Sequence, residues 1–465
     1  MKKTYTLLSF LLFFTSQLCT AQTPCWIETQ SGRAHTVALK ANHTLWTWGL
    51  NANYELGNGT TTTNQNPTQV GTDSNWSQIV CGDYWTLAIK SNGTLWAWGR
   101  NDSGQLGNGT TTTITVPTQI GTDTNWQKVA TGRWHSTAIK TDGTLWAWGQ
   151  NTDGYLGDGT LIDRLTPTQI GTANNWQKVA MGYYHTLAIK TNGSLWTWGL
   201  NEYGGLGDAT NDDKIVPTQI GTALNWTEIS AGNLHSIALK SDGTLWSTGA
   251  NFIGQLGDGS TTDKNIFTPV LATGTFLKIA TGLGHNVALK SDGTIWNWGL
   301  NNTGQIGNGT SSNTVGVLTP IQIGTDTNWM KIGVGSHNTF AIKNDNINWA
   351  WGFNLNNILG DGTTINRLVP TLVDCSALSN DEMIANTMFA RVYPNPAYDF
   401  LIVETTQSAI QKIEIYDIRG RLIVSEVLAS PTTLHQLNIS KFSRGSYILK
   451  LTTELGTQNI KLLKN

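Results

Sequence analysis

The chain has 465 residues, of which 50 are glycine and only 13% are charged, with 29 basic side chains against 31 acidic ones. So long a chain holds more than one small domain, and its low, slightly acidic charge argues against a protein held on nucleic acid by phosphate contacts. Abundant Gly, Thr and Asn, with no long amphipathic stretch, favour an all-β protein.

Lys2 and Lys3, an apolar run from Tyr5 to Leu18 and the segment Cys19-Thr20-Ala21 predict an export signal over residues 1–21, with the mature chain starting near Gln22. Leu18 stands where a lipidation motif needs a small residue, which argues against acylation of Cys19. No later apolar run is long enough to predict a transmembrane helix. Without the two signal lysines, 27 basic residues face 31 acidic ones, and residues 22–380 hold 18 against 23. No nucleic-acid partner is expected.

Internal repetition sets the architecture of residues 22–375. Trp-Gly followed two residues on by Asn recurs at Trp48, Trp98, Trp148, Trp198, Trp298 and Trp351, and Thr248-Gly249 fills the gap; the spacing is 50 residues five times and then 53. Each of the seven units reads as four short strands. The first opens at Trp26, Trp76, Trp126, Trp176, Trp226, Phe276 or Trp329, and the second is typified by His185–Lys190. Pairs such as Asn92-Gly93 and Asp142-Gly143 predict tight hairpins with both residues at positive φ. The third strand is Thr-Leu-Trp-x-Trp-Gly, and after a Gly-rich loop a strand such as Pro117–Ile120 closes the unit. Four antiparallel strands at a fixed period predict a seven-bladed β-propeller, and the 19 of 21 Trp that fall on three repeating positions are read as filling the space between blades.

The recurring His-Thr-x-Ala-[Ile/Leu]-Lys, [Asp/Asn]-Gly-Thr-Leu-Trp-x-Trp-Gly-x-Asn and Gly-Gln-Leu-Gly-x-Gly-Thr make residues 24–374 resemble the regulator-of-chromosome-condensation repeat family. That resemblance implies a seven-bladed propeller. It leaves the task open, because the family hosts guanine-nucleotide exchange factors, secreted β-lactamase inhibitors and proteins of unknown role.

No Pro-Thr-Gln-Ile strand precedes Trp26, so the copy at Pro370–Val373 is expected to pair into the first blade and tie the ends of the ring together. Cys25 and Cys375 flank the ring, and a disulfide between them is a candidate staple, worth roughly 5 kcal/mol at most. Cys81 is expected to stay a buried free thiol.

A linker over residues 376–388 leads to a segment of different composition, residues 389–465. Val392-Tyr393-Pro394-Asn395-Pro396, Lys412–Asp417, Gly445–Lys450 and Lys461–Lys464 read as strands and turns of a small β-sandwich. The segment resembles the type A sorting domain of the type IX secretion system. The resemblance implies a Gram-negative host, passage through the outer membrane by that machinery, and removal of the domain at the cell surface. A secreted or outer-membrane-surface location is therefore expected.

For chemistry, His35, His135, His185, His235 and His285 share one phase of the repeat, with Trp85 and Asn338 in the same place in units two and seven. They are candidate channel-rim residues, although equivalent side chains on a ring lie too far apart to converge on one ion. Lys40, Lys90, Lys140, Lys190, Lys240, Lys290 and Lys343 share another phase and read as solvated hairpin tips. No phosphate loop, zinc signature or nucleophile elbow is present, so no catalytic residue, metal or cofactor is assigned, and the enzyme question leans to no. The repeat departs from itself at Tyr84, Trp85, Arg133, Trp134, Tyr183 and Tyr184, an aromatic and arginine set suited to gripping a protein or stacking on a glycan. A non-enzymatic binding module is the leading reading. A secreted polysaccharide-acting enzyme stands against it, with a guanine-nucleotide exchange factor as a weaker third.

Overall fold

The computed structural model describes residues 26–373, 390–393, 397–405, 409–417, 421–454 and 456–464. The export signal, Cys25, Cys375 and the linker lie outside the described residues, as does Pro394-Asn395-Pro396. The described residues up to Val373 form one compact unit and those from Ala390 on another.

The first unit is seven four-stranded antiparallel sheets, each made of four consecutive strands. In the first blade these are Trp26–Ser31, His35–Lys40, Leu45–Gly49 and Asn64–Gln69. The outer strand starts earlier than the Pro-Thr-Gln motif suggests, at Ile114 rather than Pro117 in blade two. At the Asn-Gly and Asp-Gly hairpins only the glycine takes positive φ: Gly93 sits at 76°, while Asn92 instead accepts hydrogen bonds from the Thr94 amide and hydroxyl through Oδ1. His43 and Asn346 take the glycine's place in blades one and seven, at 60° and 61°.

The blades are held together by a repeated bond set. In most Gly-rich loops one backbone carbonyl faces the next blade and accepts there from an indole and a hydroxyl or amide; Gly205 O takes only Ser236 Oγ, because blade five has Thr248 in place of the indole, and Gln305 O takes only Thr339 Oγ1. Gln105 O takes Trp148 Nε1 at 2.9 Å and Ser136 Oγ at 2.7 Å, and Gln255 O takes Trp298 Nε1 at 3.1 Å and Asn286 Nδ2 at 2.8 Å. Buried donors and acceptors are thereby satisfied across most of these seams, while at the seam of blades six and seven Trp351 Nε1 finds no hydrogen-bond partner among the described residues. The same set closes the ring, since Trp48 Nε1 and Thr36 Oγ1 of blade one donate to Ile358 O of blade seven.

That closure corrects the expected strand exchange. Arg367–Val373 pairs with Asn348–Gly352 inside blade seven, and blade one is complete without it. The final outer strand is simply the seventh copy, and the unit boundary falls at the opening Trp. The seam between blades seven and one carries the same indole and hydroxyl bonds as its neighbours, so no exchanged strand is needed to close the ring.

The hairpin lysines are also not solvated tips. Each ammonium lies over one or two indoles of its own blade, as Lys140 Nζ does over Trp126 at 4.6 Å and Trp146 at 4.0 Å. Lys90, Lys140 and Lys343 reach an aspartate as well, at 2.7 to 2.8 Å. The aliphatic stem covers apolar surface while the charge gains the ring faces.

The second unit consists of a three-stranded and a four-stranded antiparallel sheet sharing one apolar core, with Leu401, Val403 and Leu437 from one and Ile413, Ile415, Leu449 and Leu451 from the other. This is the expected small β-sandwich.

Candidate binding site at one channel mouth

The first strand of every blade contributes to a central channel of about 280 Å³. Each such strand ends at a glycine that lets the chain turn tightly over the following ring. A Cβ at Gly132 would stand 2.3 Å from His135 Cε1. The two residues after that glycine form a ring of turns around one mouth, bonded blade to blade by their backbones. Arg33 N donates to Asp83 O, Tyr183 N to Gly232 O, Leu283 N to Ser336 O, and Ser336 N to Gly32 O at 3.3 Å.

The repeat breaks at this mouth. Tyr183 of blade four reaches across the channel, donating its hydroxyl to Asp83 Oδ1 of blade two at 2.6 Å and lying 3.3 Å from Ser336 Oγ of blade seven. The Arg133 guanidinium stands 3.7 Å from the same carboxylate, whose side chain is only 3% exposed. Burial lifts the Asp83 carboxyl above the ordinary carboxylate range, against the pull of the Tyr183 hydroxyl and of Arg33, Arg133 and Arg100.

Above this plug, arginines and rings alternate. Arg100 lies over Trp134 at 4.7 Å and over Tyr84 at 5.9 Å, and Arg33 over Tyr84 at 5.9 Å. Arg133 is within 5.7 Å of the rings of Trp134, Tyr183 and Tyr184, and its guanidinium also donates to the Tyr184 hydroxyl. Arg33 is exposed, and Tyr84, Arg100, Arg133, Trp134, Tyr183 and Tyr184 are half-buried. Five of the six residues singled out by the sequence thus meet at one mouth.

The sixth does not. Trp85 is wholly buried in the core shared by blades two and three, its indole lying under Gly82. It occupies the histidine phase, which points inward in every blade, so its place in the repeat already ruled it out of the face. The reading missed Arg33, Asp83 and Arg100. Arg33 and Asp83 share the phase of Arg133 and Tyr183, and a search for any charged departure at that phase finds them.

The five histidines are not at the channel rim either. All are buried between blades. His35 Nε2 meets Thr86 Oγ1 at 3.1 Å, His185 Nε2 Ser236 Oγ at 2.8 Å, His235 Nε2 Asn286 Oδ1 at 2.8 Å and His285 Nε2 Thr339 Oγ1 at 3.1 Å. The Asn286 amide nitrogen is spent on a loop carbonyl, so its oxygen accepts and His235 carries the proton on Nε2. His135 instead stacks on Tyr155, with centroids 5.0 Å apart. Burial pulls the imidazoles far down, to about 3 for His35, His135, His185 and His285 and about 4 for His235.

Residues 15–333 match the RCC1-like domain, and residues 391–465 match the secretion system C-terminal sorting domain. Among solved structures, the chain is similar to human WBSCR16, with 21% identity over 71% of this chain and 94% of that one and a TM-score of 0.64. It is similar to Prp20p from Saccharomyces cerevisiae, a protein with binding properties towards Gsp1p and histones, at 21% identity, 76% and 89% coverage and a TM-score of 0.64. Yeast RCC1 (Prp20) bound to Kap60 gives 18% identity, 85% and 92% coverage and a TM-score of 0.65. Likeness at these identities carries the fold and no partner. No curated protein matches the chain in sequence.

Proposed function

Since this chain belongs to the RCC1-like domain family and ends in a secretion system C-terminal sorting domain, we propose that it is an exported, non-enzymatic binding module gripping an acidic protein surface through the arginine and aromatic mouth. The sorting domain itself points to type IX secretion, and so to a secreted or outer-membrane-surface protein that meets that machinery.

One observation carries the binding role: three guanidiniums lie over Tyr84, Trp134, Tyr183 and Tyr184 around a single buried carboxylate. Arg, Tyr and Trp are the side chains that concentrate binding energy in protein interfaces, since large rigid rings and forked donors lose little freedom when covered. A protein is favoured over a glycan because both Arg100 and Arg133 lie over the Trp134 ring, leaving less of it open for a pyranose. A hydrolytic reading needs two cooperating carboxyls. At this mouth Asp83 is engaged by Tyr183 and Asp102 by Arg100, which favours the binder. Export separates the chain from cytoplasmic GTPases and disfavours the exchange-factor reading.

The test is capture of cell-surface proteins, alongside a glycan array, by the full chain and by an R100A/W134A variant with unchanged melting. We expect salt-sensitive capture of acidic proteins that falls at least about tenfold in the variant, as loss of two hot-spot residues implies. Equal capture by both proteins overturns the assignment. Binding of neutral glycans lost with W134A alone moves it to carbohydrate.

A further inference from the structure

The channel's other end carries a different chemistry. The third residue of each first strand is, from blade one to blade seven, Glu28, Gln78, Lys128, Lys178, Glu228, Lys278 and Lys331. That level lies five residues from the Asp83 phase, roughly 16 Å along an extended strand. A cavity of about 580 Å³ is lined there by Glu28, Thr29, Lys128, Lys278 and Lys331 among others, drawn from blades one, three, six and seven and so from opposite walls of the ring.

The charges do not cancel. Glu228 Oε1 is shared by Lys178 at 2.8 Å and Lys278 at 2.7 Å. Lys331 Nζ donates to the backbone oxygen of Ile27 at 2.5 Å, and Lys128 makes no ion pair among the described residues. Four lysines therefore face two glutamates. Glu28 makes no ion pair among the described residues either; its side chain accepts from Gln30 at 3.4 Å, and burial raises its carboxyl to about 7 despite Lys331 and Lys128, so it neutralises less than one full charge near neutrality. Thr29, buried on the same wall, has a hydroxyl with no hydrogen-bond partner. At the far mouth the channel is crossed by the Tyr183 bridge to Asp83 and Ser336, which leaves this end as the way in.

We propose that the lysine-ringed end of the channel is a binding pocket for a small multivalent anion bearing phosphate groups. Ammonium groups on a ring act as point charges converging on one axis, which suits a compact polyanion entering along it, and the cavity volume is that of a small-molecule site. The pocket is separate from the arginine mouth in both residues and direction.

Calorimetric titration of the full chain with inorganic tripolyphosphate, beside citrate and sulfate, tests this. Saturable binding of tripolyphosphate is expected, weakened at least about tenfold in K128Q/K331Q and strengthened about threefold in E28Q, with R100A/W134A binding like the parent chain. If the double lysine variant fails to fold, the E28Q comparison decides alone. The proposal is overturned if tripolyphosphate gives no saturable heat, if folded K128Q/K331Q or E28Q binds as the parent does, or if citrate or sulfate binds as tightly as tripolyphosphate.

Discussion

At the two turn positions that follow the first strand, blades two to four carry Asp83-Tyr84, Arg133-Trp134 and Tyr183-Tyr184, whereas blades five to seven carry Asn233-Leu234, Leu283-Gly284 and Ser336-His337. A few residues further on, the same six blades are nearly interchangeable: a buried His, Trp or Asn, then a small polar residue whose side chain serves the neighbouring blade. Positions that face the next blade must satisfy the same carbonyl in every seam and so cannot drift. Positions that face the mouth are free of that demand, and there the chain has concentrated charge and rings on one side.

The largest expected effect tests the interchangeable interior. Five imidazoles sit between blades, neutral, with values of about 3 to 4 against an ordinary 6.5. A base depressed in the folded state contributes stability that is intact above its unfolded pKa and is lost as pH falls towards its folded one. The ring should therefore hold its stability above pH 6.5 and lose it steeply below. At pH 5 the summed loss is on the order of 10 kcal/mol as an upper figure, comparable to the whole stability of a domain. Melting curves between pH 8 and 4.5 check this, and H135Q should remove about a fifth of the slope, as one of five equal sites. A flat profile down to pH 5 would mean that the seams admit protonated imidazole.

Next in size is the contrast between a tryptophan of the seam and one of the mouth. Trp148 is fully buried and donates to Gln105 O of the preceding blade, so W148A should cost about 3–5 kcal/mol in denaturant unfolding. W134A removes a half-buried ring under two guanidiniums and should cost about 1 kcal/mol or less. Trp146, half-buried beneath Lys140, should fall between them. Equal losses at 134 and 148 would make the mouth part of the scaffold.

The architecture was legible because the repeat states the same packing problem seven times, and Trp-Gly-x-Asn recurs wherever an indole must reach the next blade. What the repeat does not state is which side of a strand faces solvent. Period alone made the lysines look like solvated tips, yet they lie against paired indoles; it made the histidines look like a rim, yet they fill seams. The mouth was half legible. Trp134, Tyr183 and Tyr184 stood out as rings; Asp83 departs from the repeat at the same phase, but nothing local marks Tyr183, a hundred residues on, as its partner. The lysine ring went unnoticed because Lys128 and Lys331, at one phase of the repeat, come to line one cavity only when the ring closes.

Within the channel, Glu28 gives a smaller and opposite pH effect. Its carboxyl is raised by burial from 4.5 to about 7, so its contribution to stability is present below about 4.5 and is lost as pH rises through about 7. At pH 8 the buried carboxylate should cost about 2 kcal/mol, less than the full shift implies because the cavity admits water. E28Q should then unfold at higher denaturant than the parent at pH 8 and match it near pH 4.5. A parent that is equally stable relative to E28Q at both values would place the ionised group in contact with Lys128 or Lys331.

The smallest effect separates the two ways a hairpin lysine is held. Lys140 pairs with Asp123 at 2.8 Å, but that aspartate is more than half exposed, whereas the ammonium itself is buried over Trp126 and Trp146. An ion pair with one partner in water is worth little, so D123A should cost about 0.5 kcal/mol and lose even that in high salt. K140A removes the covering stem and the charge over two rings and should cost about 1–2 kcal/mol, largely independent of salt. Blades four and five already carry Ala173 and Ala223 where Asp123 stands in blade three, yet Lys190 and Lys240 keep the same stacked place at 3.7 to 4.0 Å from the outer indole. The rings, rather than the aspartate, therefore hold the lysine, and a D123A loss as large as that of K140A would reverse that order.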